Sequence, residues 1–319
     1  MTKFLFQMDD PKDFNIEEDS TYLMIKEAVS RGVKCFYNDP KWIYVDLNNK
    51  KKIKSKVFEI FVKKNNQISY ASNKSKVMDL EVFDAVFIRQ DPPFNLQYIS
   101  NTYLLDHLKK PLIINNPKEI RNYPEKHIMM NFPELTPPTL ISSEPDSIIN
   151  FINKQDSVVI KPAYGNGGLG IEKIDKNKKN LRAFIKKYIN KFSNSPVIVQ
   201  KFLKKYHKGD KRIILLNGKV QGAVLRVPKK NSIKANFHAG GNALKTSLSV
   251  KEKMICQKIK KFLILKQLYF VGIDVIDGYL TEINITSPTG IQEINRLNGV
   301  KIEKNIIDFV MKSLKKVFK

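Results

Sequence analysis

Asp274, Glu282 and Asn284 are the residues of this 319-residue chain whose types and spacing point most directly to chemistry. Glu282 and Asn284 stand two apart in a strand-like run and therefore share a face. Whether Asp274 joins them turns on the hairpin around Asp277-Gly278. A two-residue loop sets Asp274 opposite Thr281, whereas a three-residue loop, Asp277-Gly278-Tyr279, sets it opposite Glu282. The hydrophobic pattern selects the longer loop, because Ile273, Val275, Thr281, Ile283 and Ile285 then share the core face. Two carboxylates and a carboxamide on the other face make a hard-oxygen site suited to Mg²⁺ bound jointly with phosphates. The competing reading is an ordinary solvated hairpin face.

A second group of residues suits phosphate. The run from Val158 ends in Lys161 and opens into a loop containing Gly165, Gly167, Gly168 and Gly170, where backbone N–H groups can approach phosphate oxygens closely. Gly165-x-Gly167-x-x-Gly170 has the spacing of the dinucleotide fingerprint, but that motif requires a helix after the loop. Here Ile171-Glu172-Lys173-Ile174 alternates like a strand, so the segment reads as a flap folded over phosphates, as in kinases. Lys126 and Lys161 flank it as point charges. Gln200, Lys201, Phe202 and Leu203 lie at a strand edge whose backbone suits the hydrogen-bonding edge of adenine, with Phe202 or Leu203 on its face. Asp210 is placed to accept from ribose hydroxyls. Thr286, Ser287, Pro288, Thr289 and Gly290 precede a helix-like run and suit a carboxylate. Arg212 and Arg226 upstream are either ion-pair partners or guanidiniums that face a developing acyl phosphate.

The elements that must position these groups form an α/β pattern. Strands at 4–8, 33–37, 85–88 and 112–114, a helix capped by Asp19 and stopped by Gly32, and a helix around 98–108 make a small parallel-sheet unit. The stretch 48–76, rich in Lys, Asn and Ser, reads as a hairpin-and-loop excursion. Prolines at 117, 124, 133, 137 and 138 punctuate the passage to a compact module of strands and helices ending near 201. Beyond it come paired strands at 213–216 and 220–227, a helix at 250–265, strands at 270–276 and 280–285, and a basic C-terminal helix.

Bulk properties narrow the classes. No stretch approaches membrane-spanning length, and Met1 to Met8 is too short an apolar run for a signal peptide. Cys35 and Cys256 are far apart and lack a CxxC or His companion, which argues against zinc and disulfides and for a cytoplasmic setting. A net charge of +25 invites nucleic acid. The lysines are scattered and carry no interleaved aromatics, so no nucleic-acid partner is expected. Walker A, GxSxG and HExxH patterns are absent.

With these residues in view, the chain resembles the prokaryotic-type glutathione synthetases of the ATP-grasp superfamily. The resemblance is carried by Asp19-Ser20, Arg89-Gln90-Asp91-Pro92-Pro93-Phe94, Asn122 to Lys126, Lys161-Pro162 with its glycine loop, and Gly209-Asp210-Lys211-Arg212. Leu280-Thr281-Glu282-Ile283-Asn284-Ile285-Thr286-Ser287-Pro288-Thr289 completes it. It implies an α/β (α+β) ATP-grasp fold with a Rossmann-like pre-ATP-grasp domain at residues 1–121, an ATP-grasp domain at 122–319 and a mobile lid at about 137–201. It implies a ligase that joins γ-glutamylcysteine to glycine with ATP through an acyl phosphate, in a homo-oligomer with no membrane partner. Lys126, Lys161, the loop glycines, Gln200 to Leu203 and Asp210 would hold ATP. Asp274, Glu282 and Asn284 would hold two Mg²⁺, with Mn²⁺ as a substitute, and Glu282 would bridge them. Arg212 would stabilise the transferring phosphoryl group, and Arg226 with Ser287, Pro288, Thr289 and Gly290 would bind the peptide carboxylates. Asp19, Ser20, Arg89 and Asp91 would serve the peptide side. One departure is the segment 229–242, where Lys234-Ala235 replaces a common Arg-Gly pair and Asn242 stands where an arginine can sit; lysine keeps the charge there but loses the bidentate fork.

Overall fold

The computed structural model describes residues 1–48, 52–165, 168–229, 232 and 240–317. Strand β1 (Lys3–Gln7) is wholly buried from Phe4 onward and leads to helix α1 (Ser20–Ser30). The Asp19 side chain caps that helix by accepting from the Tyr22 N–H at 2.7 Å, an interaction worth about 1 kcal/mol. After α1 come β2 (Lys34–Asn38), β3 (Ile43–Asp46), β4 (Lys52–Val62), β5 (Ile68–Tyr70), β6 (Lys76–Asp79) and β7 (Ala85–Ile88). Helix α2 (Leu96–Leu105), β8 (Leu112–Ile114) and α3 (Pro117–Asn122) close the unit. Strands β2, β1, β7 and β8 are parallel, as the alternation of strand and helix predicts.

The stretch expected to be an excursion is instead part of this sheet. The 11-residue β4 pairs antiparallel with β2, and β3, β5 and β6 pair with β4. Ile53, Ser55 and Val57 point inward there while Lys52 and Lys56 are exposed, a period-two pattern that the lysine content hides.

A second sheet follows, ordered β11-β10-β12-β9 and built from β9 (Thr139–Ser142), β10 (Ser157–Pro162), β11 (Glu172–Asp175) and β12 (Val197–Lys201). Helices α4 (Pro145–Asn153) and α5 (Leu181–Lys191) cover one face. Ile148 and Ile152, one turn apart on α4, and Ile185 and Ile189 on α5 bury against Val158, Ile160 and Val199. Each such side chain contributes about 1.5–3 kcal/mol, so this unit holds a core of its own. Strands β10 and β11 pair directly, with Val158 opposite Ile174, so the glycine loop is the tip of a hairpin, as expected.

The third sheet is antiparallel: β13 (Asp210–Leu216), β14 (Lys219–Val227), β15 (Asn242–Lys245), β16 (Phe270–Ile276) and β17 (Tyr279–Asn284), in the order β15-β14-β13-β16-β17. Helix α6 (Val250–Leu265) begins with a capping box of Ser249 and Glu252 and buries Ile255, Ile259 and Leu263 against Ile213, Ile273 and Ile283. Helices α7 (Ile291–Asn298) and α8 (Ile302–Val317) pack toward the other face through Ile294, Ile302 and Ile306. Asn115 fastens the first sheet to the third: its Nδ2 donates to the Phe270 and Ile285 carbonyls at 2.7 Å each, and its Oδ1 accepts from the Phe270 N–H.

Candidate active site

The register of the third sheet draws the charged residues onto one face. Arg212 on β13 lies opposite Asp274 on β16, Asp274 lies opposite Glu282 on β17, and Asp210 lies opposite Arg226 on β14. Since Asp210 and Arg212 are two apart on one strand, the two rows are neighbours on the same face. Ile213, Ile273 and Ile283 fill the opposite face.

The pairing of Asp274 with Glu282 is as expected, but the route to it is different. The hairpin turn has two residues, Asp277 and Gly278, both at positive φ (51° and 73°), with Ile276 opposite Tyr279. That is the turn whose twist suits a hairpin, and Asp-Gly is a sequence that adopts it. A bulge at Thr281 then shifts the register by one, so that Leu280 rather than Thr281 takes the core face. The extra residue is put to use: Thr281 Oγ1 donates to the Asp274 carbonyl at 3.1 Å, and its own carbonyl accepts from Lys161 Nζ at 3.3 Å. The hydrophobic alternation placed Ile273, Val275, Ile283 and Ile285 on the core face correctly and misplaced Thr281, because it assigned the added residue to the turn.

Asp274 is the hub. Its Oδ1 accepts from Arg212 Nε at 2.5 Å and lies 2.9 Å from Arg226 Nη2, and its Oδ2 accepts from Arg212 Nη2 at 3.0 Å and from Asn284 Nδ2 at 3.4 Å. Burial alone would raise its pKa, but the two guanidiniums outweigh it and hold the carboxyl well below the ordinary range. Arg226 also donates to Asp210 Oδ2 at 2.5 Å. Burial pushes Asp210 up to about 6 despite that arginine, with Asp274 adding to the rise. Lys161 is buried at the end of β10 and is pushed down to about 8, chiefly by desolvation, with Glu282 opposing. Lys126 is 3.5 Å from Glu282 Oε1 and donates to the Gly165 carbonyl at the loop tip. Tyr164, beside that tip, stacks on Phe94 of the first unit with centroids 6.5 Å apart and on His127 at 5.2 Å.

Apart from Phe94, His127 and Tyr164, these groups line one cleft of about 640 Å³ between the second and third sheets and the first unit. Val159, Ile171, Phe202, Leu203 and Ile276 supply apolar wall, with Lys173 Nζ 5.0 Å from the Phe202 ring centroid. Lys126, Lys161, Gly165, Gly168, Gln200, Lys201, Asp210, Arg212, Arg226, Asp274, Glu282, Asn284, Ser287, Pro288 and Thr289 all line it, as do Asp19, Arg89 and Asp91. Three expected residues stand elsewhere. Ser20 is fully buried and its Oγ accepts from the Ile291 N–H at 3.4 Å, joining α1 to α7. Gly170 lies against Phe192 at φ 73°, and Gly290 precedes α7 at φ 109°. Gly167 and most of the segment 229–242 lie outside the described residues.

On the strand edge, the Lys201 N–H donates to Pro138 and the Phe202 N–H to Ser157, so neither is free for a ligand, and among the described residues Leu203 is the remaining donor position after them. Sequence reasoning gave Glu125 no role of its own. Its carboxylate accepts from the Thr286 hydroxyl and, at 3.4 Å, from the Thr286 N–H, and its carbonyl accepts from the Ile283 N–H. Burial, and next the charge of Glu282, raise its pKa. Only the hydrogen bonds reveal this residue, since a lone Glu before Lys126 carries no pattern. Cys35 and Cys256 are both buried, with thiols pushed up to about 12 and about 11 by burial, so neither is a nucleophile at neutral pH.

The donor set fits a hard divalent cation on one condition. Among the described residues no three His, Cys, Asp or Glu stand close enough together to hold a metal ion by themselves, so a cation would rest on two carboxylates and an amide and would need further oxygens from a ligand. Mg²⁺ beside phosphates is bound in that manner.

Known proteins resemble this chain in sequence and in fold. The family model described as the prokaryotic glutathione synthetase N-terminal domain matches residues 2–121, and that described as the prokaryotic glutathione synthetase ATP-grasp domain matches residues 125–299. Glutathione synthetase of Rhodopseudomonas palustris is 39% identical over 309 residues, 97% of each chain. That of Buchnera aphidicola is 36% identical over 313 residues, 97% of this chain and 95% of the relative. In fold, a RiPP-associated ATP-grasp ligase of Chryseobacterium gregarium superposes with a TM-score of 0.67 at 15% identity, covering 98% of this chain and 97% of that one. D-alanyl-alanine synthetase A from Vibrio cholerae superposes with a TM-score of 0.61 at 15% identity, covering 98% of both. No described helix is long and apolar enough to cross a membrane. Two family models spanning both halves, and relatives aligned nearly end to end, place the charged sheet face and its glycine hairpin in an ATP-grasp fold, and the chain belongs to the prokaryotic glutathione synthetase family.

Proposed function

We propose that this chain joins γ-glutamylcysteine to glycine at the expense of ATP, releasing glutathione, ADP and phosphate. The observation that carries the reading is the Arg212–Asp274–Glu282 row, set in one cleft with the lysines of the flap and the Ser287–Thr289 loop. In this reading Lys126 and Lys161 hold the phosphates of ATP, and Leu203 offers its backbone to adenine above the Phe202 side. An oxygen of the cysteinyl carboxylate attacks the γ-phosphorus, the bond to ADP breaks, and an acyl phosphate forms. Arg212 faces the charge that accumulates on the transferring group. Glycine's amine then attacks the acyl carbon, loses a proton, and phosphate leaves with the former carboxylate oxygen.

Asp274, Glu282 and Asn284 would hold the Mg²⁺ ions, two in this reading with Mn²⁺ as a substitute, which neutralise triphosphate charge. Arg226 was expected beside the peptide carboxylates. Its bonds to Asp210 and Asp274 support a further duty of fixing the hub. We assign residues 1–121 to the pre-ATP-grasp domain, 122–319 to the ATP-grasp domain and about 137–201 to a closing lid, in a cytoplasmic homo-oligomer. The test is ADP release with ATP, γ-glutamylcysteine and each of glycine and D-alanine. Release that needs the dipeptide and prefers glycine supports the assignment, and release indifferent to the dipeptide contradicts it.

A further inference from the structure

Strand β17 lies at an edge of the third sheet, so its outward N–H groups need partners from outside the sheet. Ile283 stands between Glu282 and Asn284, and its N–H donates to the Glu125 carbonyl at 3.3 Å. On one side of that bond, Lys126 Nζ is 3.5 Å from Glu282 Oε1. On the other, beyond Asn284, the Glu125 carboxylate accepts from the Thr286 hydroxyl and, at 3.4 Å, from the Thr286 N–H. Two consecutive residues therefore grip β17 and its exit on both sides of Asn284.

The grip is anchored in the core. The Pro124 carbonyl accepts from the His127 and Ile128 N–H groups at 2.8 and 3.0 Å, which closes the chain into a turn that presents Glu125 and Lys126. Ile128, at the end of that turn, is buried with Phe132 and Leu135. The loop after Thr286 is held differently: the Pro288 carbonyl accepts from Arg89 Nη2 at 3.2 Å and the Thr289 carbonyl from Arg212 Nη1 at 3.0 Å. Among the described residues Glu125 is the side chain that binds Thr286.

Packing does not do this work alone. Thr286 is 6% exposed, yet it borders two spaces, since Glu125, Lys126, Gly165 and Thr286 line both the cleft and a recess of about 40 Å³ beside Phe94, Tyr98 and Tyr164. A side chain with open space on two sides lacks the contacts that would fix it. Its hydrogen bonds must supply the restraint.

We propose that Glu125 is a positioning residue of the ligase, whose carboxylate fixes Thr286 and thereby sets Asn284 on one side and Ser287 on the other. A displacement of about 1 Å at a reacting centre costs about a hundredfold in rate, so a restraint between a metal-facing residue and the loop bears on turnover. Glu125 acts by accepting hydrogen bonds. A glutamine, with an acceptor oxygen in the same place, can replace it. This inference rests on the ligase reading above.

The test measures steady-state ADP release for Glu125→Gln, Glu125→Ala, Thr286→Val and the last two combined, with thermal melting as the check on folding. Glu125→Ala and Thr286→Val each lower kcat/KM for γ-glutamylcysteine by at least about tenfold, the loss expected of a hydrogen bond to a charged group. KM for ATP stays within about twofold, because Lys201 to Leu203 bond to Pro138 and Ser157 and not to Thr286. Glu125→Gln keeps at least about a third of the parent's kcat/KM. The double variant is no worse than Glu125→Ala alone, since both changes remove one interaction. A Glu125→Gln as impaired as Glu125→Ala overturns the positioning role in favour of the charge, and losses that multiply in the double variant overturn the route through Thr286. A lowered melting temperature with unchanged kcat/KM marks a merely structural bond and overturns it too. Should Glu125→Ala not fold, an unchanged kcat/KM in Thr286→Val is the overturning result. No ADP release by the parent with γ-glutamylcysteine and glycine strikes the ligase reading itself.

Discussion

Lys161 gives the most quantitative prediction. Its ammonium is buried with one carbonyl partner, Thr281, at 3.3 Å, and among the described residues it forms no ion pair. Burial lowers its pKa from 10.5 to about 8, so between those values the folded chain binds fewer protons than the unfolded chain. Stability contributed by this group accordingly rises with pH across that window, by up to about 3 kcal/mol. A bound triphosphate restores the cation, which means that ATP binding draws in a proton. With a terminal-phosphate pKa of about 6 the nucleotide is fully ionised at pH 8.5, and the lysine takes up about 0.7 proton per ATP there against about 0.1 at pH 7. Titration calorimetry with ATP and EDTA, in two buffers of different ionisation enthalpy, reads this number directly. Absence of uptake at pH 8.5, or the same uptake in Lys161→Met, would refute the placement of the γ-phosphate end against this lysine.

Other outcomes follow from the same geometry. Glu282→Gln loses at least about a hundredfold in kcat through weaker metal and phosphate charge balance, while its partly exposed setting, with 24% of the side chain accessible, keeps the melting temperature near the parent's. Asp274→Asn leaves Arg212 without its bidentate partner and costs about 3 kcal/mol of stability by denaturant titration. Because the Asp274 pKa is depressed on folding, its contribution is complete above the unfolded value and is lost as pH falls through the folded one. The gap between parent and Asp274→Asn therefore narrows in acid, and a constant gap contradicts the buried pair. Gly222→Ala drives a methyl into Ile294 of α7 and costs about 1–3 kcal/mol, with a raised KM for the dipeptide because α7 begins at the Gly290 loop.

What the sequence made legible has a physical pattern. Residues in strict alternation or in caps read out directly: Asp19 caps its helix, Glu172 to Asp175 forms the strand after the glycine loop, and Ile273 with Ile283 takes the core face. Three features did not read out. In β4, lysines occupy the outward positions of a buried strand and mask its period. At Thr281 a bulge and a longer turn predict the same pairing of Asp274 with Glu282, so patterning cannot choose between them. Glu125 and the carboxylates that line the cleft beside it, such as Asp9, Asp91 and Glu293, are brought together from distant segments that no local spacing connects.

In the proposed reaction one carboxylate oxygen of γ-glutamylcysteine is passed to phosphate while glycine takes its place. It is tested by mass spectrometry of the products formed from ATP, glycine and dipeptide carrying ¹⁸O in the cysteinyl carboxylate. Transfer through an acyl phosphate puts one ¹⁸O in each phosphate released, with glutathione and ADP formed in equal amounts. Unlabelled phosphate, or ADP formed without the tripeptide, would contradict it.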